Sequence, residues 1–173
     1  VITSDEAMGF SMRLLTPEHL GAEFNVDSSE EIDDFQSLVM HACGLLGRTD
    51  CRFLVSGFGQ DEWPVTVDYD LSAVMEQLPA MVAELRADKP AVLDFYAQGI
   101  QRMLEIAPQN DRFEIRCRSG TAWNPHPECE LMERSAFWDM LTKLAAQFAV
   151  ALQHAAPALG TRTPFPDWST GKL

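Results

Sequence analysis

His126, Glu128, Cys129 and Glu130 stand together in one short stretch, all of them metal-ligand types, with His126 and Cys129 three residues apart. That spacing lets one segment offer two ligands to a zinc ion. A structural zinc needs four ligands from two such groups and a catalytic one needs at least three. The remaining histidines, His19, His41 and His154, fall on expected helices without an HExxH pattern. The stretch therefore reads as a polar loop stiffened by Pro125 and Pro127, with no metal expected and His126 with Cys129 as the alternative pair. No cofactor is expected either.

Nucleophilic chemistry is no better supplied. Cys43, Cys51, Cys117 and Cys129 form no CxxC pair, and the first three lie in apolar runs where a thiol acts as a small hydrophobe. His41 is two residues from Cys43, a spacing at which side chains on a helix do not face each other. Glu30 with Asp33 and Asp34 could pair carboxylates, but acids in the first turn of a helix already answer its dipole. Gly57-Phe58-Gly59 lacks the third glycine and the following helix of a phosphate-cradling loop, so a turn is expected there.

What remains is binding. Residues 1–70 hold fourteen acids against three bases, a balance of −11, whereas the rest of the chain carries −2 of the total net charge of −13. Such a field repels phosphate backbones and anionic membrane surfaces, and it steers basic proteins. The expected partner is a basic protein, with neither nucleic acid nor membrane, and the expected contacts are Asp27, Glu30, Asp33, Asp34, Asp68 and Asp70. The expected function is a non-enzymatic binding module, of the kind in which an acidic inhibitor or immunity protein blocks a nuclease-like toxin or enzyme. That likeness is one of size and charge rather than of motif. The alternative is a metal- or small-ligand-dependent enzyme or binding protein built on the loop from Trp123 to Glu130. Unpaired cysteines, no basic-then-apolar leader and no apolar run of about 18 residues suggest a cytoplasmic chain. Oligomeric state is left open.

These residues must be positioned by a fold, and the spacing of apolar side chains predicts an α+β class. A first strand is expected near residues 8–14, and a helix opening at Ser28 and Ser29 carries Ile32, Phe35, Leu38, Val39, Ala42, Leu45 and Leu46 as far as Gly47. Residues 51–56 and 65–69 alternate as a hairpin, and residues 71–87 have helical spacing that Pro79 should kink or restart.

Residues 91–97, 100–106 and 112–118 read as a three-strand meander. Its inward set of Leu93, Phe95, Ile100, Leu104, Ile106, Phe113, Ile115 and Cys117 leaves Arg102 on the apolar side unless Gly99 hosts a bulge. A long helix over residues 132–154 follows. The expected architecture is a mostly antiparallel sheet of about five strands, packed on one face by two long amphipathic helices and a Pro-kinked helix. Residues 1–156 form one domain and residues 157–173 a proline- and aromatic-rich arm. The open sheet face would show Asp94, Tyr96, Arg116 and Arg118, a second candidate surface for a partner.

Overall fold

The computed structural model describes residues 9–20, 24 and 32–173. Asp27 and Glu30, with the expected helix start at Ser28 and Ser29, lie outside the described residues. Strands β1 (Ser11–Leu15) and β2 (Arg52–Ser56) pair antiparallel, with Ser11 opposite Ser56. A four-stranded antiparallel sheet in the order β3-β4-β5-β6 comprises Ala91–Phe95, Arg102–Gln109, Arg112–Ser119 and Cys129–Glu133. Helices α1 (Phe35–Leu46), α2 (Ser72–Arg86) and α3 (Arg134–Ala155) complete an α+β fold.

Every member of the predicted inward set is buried, and so is Arg102, because β4 keeps strict alternation with Leu104 and Ile106. The opposite face of the sheet is open, with Val92, Met103 and Leu131 exposed on it. On the inner side α3 lays Phe137, Leu141, Leu144, Phe148 and Leu152 into the core. Glu130 ties the two sheets: Oε2 accepts from the Phe10 backbone N–H and Oε1 from that of Phe58.

The structure corrects the expected hairpin. Residues 65–69 alternate like a strand, yet Val67–Leu71 forms a single π-helical turn leading straight into α2, and the partner of β2 is β1. Local hydrogen bonds decide this. Thr66 Oγ1 accepts from the Tyr69 N–H at 3.4 Å, the Thr66 carbonyl accepts from the Asp70 and Leu71 N–H groups, and Asp70 Oδ2 accepts from the Thr66 N–H at 2.7 Å. Side-chain bonds of this kind offer the backbone an alternative to a sheet ladder.

Pro79 does not divide α2 into the two pieces expected. It sits on the exposed side of one helix, and the buried stripe of Val74, Leu78, Met81, Val82 and Leu85 continues past it. Strand β6 takes in Cys129 and Glu130, the end of the stretch expected to be a polar loop. The tail is not extended: helices α4 (Pro157–Gly160) and α5 (Phe165–Ser169) fold back on α3. Phe165 and Trp168 are buried, with ring centroids 5.6 and 6.3 Å from that of Phe148, so their aromatic surface is spent within the chain.

Candidate functional site

A cleft of about 860 Å³ opens between the second half of α1, the π-helical turn and the residues that follow β3. Three of the expected partner-binding residues, Asp68, Asp70 and Tyr96, line it together. The exposed side chains of Met40, Tyr69 and Tyr96 give it an apolar and aromatic rim, and Arg48 is the cation among its lining residues.

Gly44 and Gly47 shape the helical wall. A Cβ on Gly47 would lie 3.2 Å from both the Asp68 Cβ and the Cys43 carbonyl, so this glycine lets the turn close against α1. A Cβ on Gly44 would meet nothing within 4 Å, so the space in front of it is open. Glycine in a helix interior costs roughly 0.5–1 kcal/mol relative to alanine, and here no packing contact requires it.

The electrostatics of the cleft centre on Asp70, which is 3% exposed. Its Oδ2 accepts from Thr66, but its Oδ1 is buried without a hydrogen-bond partner. Burial pushes its carboxyl above the ordinary value; the bonds from Thr66 pull the other way, and the charge of Asp68 adds to the rise. The start of α2 just beyond accounts for an acid here through the helix dipole, though not for an unbonded buried oxygen. Tyr96 donates from its hydroxyl to Glu76 Oε1 at 2.8 Å, and partial burial together with that bond pushes the phenol up to about 12. The tyrosine is thus a fixed neutral wall. Cys43, behind the cleft, is buried and its thiol pushed strongly up by desolvation, which makes it a poor nucleophile.

The other expected acids do not join this site. Asp34 caps α1, its Oδ1 accepting from the Ser37 N–H at 2.7 Å, and that backbone bond holds its carboxyl below the usual range. Asp33 is exposed beside it, and the twelve residues of α1 separate both from Gly47, the end of the helix that meets Asp68. On the open sheet face, Arg118 Nε donates to Glu105 at 2.7 Å, and Arg116 lies 3.8 and 3.9 Å from Glu114 and Glu128. The sheet-face arginines are therefore tied into surface ion pairs, of which Arg118 with Glu105 spans two strands, each worth a fraction of a kcal/mol to about 1 kcal/mol. Asp94 is pinned through its backbone, which exchanges two bonds with the Gln77 side chain and blunts the β3 edge. His126 lies in the exposed loop, and Cys129 sits on β6 opposite Arg116. Among the described residues, no three His, Cys, Asp or Glu side chains are grouped as a metal ion would require.

A second constellation stands apart from the cleft. The Arg102 guanidinium lies 4.3 Å from the ring centroid of Trp63 and 3.4 Å from that of Trp123, and its Nη2 donates to Gln60 Oε1 at 2.7 Å. Nε and Nη1 are buried without partners. The residue is 3% exposed, and desolvation lowers its pKa to about 10. Burying a cation with no carboxylate costs several kcal/mol, which two aromatic faces repay only in part.

Sequence reasoning flagged Arg102 as a misfit of strand alternation but assigned it no role. It missed Gly44 and Met40 because helical spacing says which residues face the core, not where a wall is left unfilled. Among the described residues no helix is long and apolar enough to cross a membrane. Comparison of the chain with protein-family models, curated proteins and solved structures finds no match.

Proposed function

We propose that this chain is a protein-binding module for a basic partner, and that it seats a cationic side chain of that partner in the cleft of Asp68 and Asp70. Its role on this reading is to block the partner, as an inhibitor or immunity-type protein blocks a nuclease-like toxin or enzyme. One observation carries the reading: a buried carboxylate with an unbonded oxygen lines an open cleft beside a second acid, Asp68. A cation in the cleft supplies the counter-charge that Asp70 lacks, while Tyr69, Tyr96 and Met40 cover the aliphatic stem that carries it. The net charge of −13 draws such a partner in, an effect that salt screens within about 10 Å at 0.1 M.

Capture from a host lysate with the native chain and with an Asp68→Asn, Asp70→Asn double variant tests the reading. The native chain retains a basic protein at low salt and releases it on a salt step, and the double variant retains far less of it. A partner held equally by both, or held regardless of salt, would show that the cleft is not the binding surface.

A further inference from the structure

Resting on the reading of the cleft as a cation site, we propose that the side chain it selects is an arginine rather than a lysine. The guanidinium bridges Asp68 at the rim and Asp70 beneath it, with one face against Tyr96.

Charge alone does not separate the two cations, so the distinction comes from where the acceptors stand. Asp68 is exposed and Asp70 is buried with Oδ1 unbonded, although both line the same cleft. The acceptors thus lie at two depths. A third belongs to α1: the Gly44 carbonyl, on the cleft wall, accepts from neither the Gly47 nor the Arg48 N–H. It stands at the negative end of the helix dipole, and α1 has no basic residue in its last turn to answer it. Among the described residues neither aspartate has an ion-pair partner, and Arg48, which lines the same cleft, has none either. The chain does not neutralise this site from within.

An ammonium carries its three donors on one atom and is strongly hydrated, so serving a buried oxygen and an exposed one together is costly for it. A guanidinium spreads five donors around a plane and is more weakly hydrated. It can serve acceptors at different depths at once. Its donors lie in the plane, which frees the two faces for aromatic contact, and the cleft offers the exposed rings of Tyr69 and Tyr96.

Tyr96 is set in place before any ligand arrives. Its hydroxyl donates to Glu76 Oε1 at 2.8 Å, and Asp94, two residues earlier, exchanges backbone bonds with the Gln77 side chain at 2.8 and 2.9 Å. A preformed ring face lowers the cost of ordering on binding. Glu76 also holds Oε2 buried without a partner, so a third carboxylate beside the ring adds to the field that favours a cation.

The test compares three capped amino acids as ligands of the full chain at constant ionic strength. They are N-acetyl-arginine methylamide, N-acetyl-lysine methylamide and the trimethylated form of the lysine amide, which keeps the charge without a donor. Dissociation constants are read from the ring-proton signals of Tyr69 and Tyr96. The arginine amide should bind about tenfold more tightly than the lysine amide, and the trimethylated amide should bind most weakly. Asp68→Asn should cut the advantage of arginine to about threefold, because the fork then meets a carboxylate at one depth only. Tyr96→Leu should lower it as well, since the guanidinium loses its stacking face.

Equal affinities for arginine and lysine would overturn the inference and leave a general cation site. Tightest binding of the trimethylated amide would overturn it in favour of an aromatic cage. An arginine preference unchanged in both variants would place its origin elsewhere and overturn it too. Absence of binding by all three ligands would remove the reading of the cleft itself, and the inference with it.

Discussion

Asp70 and Arg102 are buried to the same degree, each with polar atoms left unbonded. They differ in what stands in front of them. Asp70 lines an open cleft with a tyrosine rim, whereas Arg102 is covered by two tryptophan rings. An aromatic face attracts a cation and repels an anion, so the arginine can be covered by rings and the aspartate cannot. On the proposed reading, the carboxylate finds its counter-charge in a partner.

Trp63 belongs to both regions, since it stacks on Arg102 and supports Phe95, which precedes Tyr96 in the cleft wall. Trp63→Ala should cost about 3–5 kcal/mol in denaturant unfolding and degrade both regions together. A smaller loss would mean that the two are independently supported. Trp123→Ala should cost only about 1–2 kcal/mol, because it strips one face from the guanidinium and leaves the core intact.

Asp70→Asn should act in the opposite direction. A carboxyl whose folded pKa is raised stabilises the fold fully below its unfolded pKa and loses that contribution as pH climbs through the folded value. The variant should therefore be more stable than the native chain by about 1 kcal/mol at neutral pH and equal to it in acid. Thermal melts at the two pH values check this, and a variant destabilised at neutral pH would show that Asp70 is there for the fold. Gly44→Ala should stabilise by roughly 0.5–1 kcal/mol with no effect on Arg102, because its Cβ enters open space.

The sheet was legible in the sequence where alternation and turns agree, as in β3, β4 and β5, and α1 and α3 where apolar stripes are long. Residues 65–69 misled because the period-two pattern of Val65, Val67 and Tyr69 says nothing about the hydrogen bonds that Thr66 and Asp70 make to the local backbone. Those same bonds bury Asp70, so the error in the fold and the character of the site have one origin. Arg102 was visible as an exception to the inward pattern, but its partners Gln60, Trp63 and Trp123 come from two distant loops whose meeting no spacing records. Asp68, Asp70 and Tyr96 were named from charge and exposure, and only the packing of α1 against the π-helical turn brings them into one cleft.

The most direct measurement is a titration of the isotope-labelled chain with N-acetyl-arginine methylamide and N-acetyl-lysine methylamide, followed by backbone amide shifts. The account predicts saturable shifts at Gly44, Gly47, Asp68 and Asp70 that weaken as pH falls and Asp70 takes up its proton, and that disappear in Asp68→Asn, Asp70→Asn. Shifts confined to other surfaces, or shifts at the cleft that survive in the double variant, would contradict the claim that this cleft receives a cationic side chain.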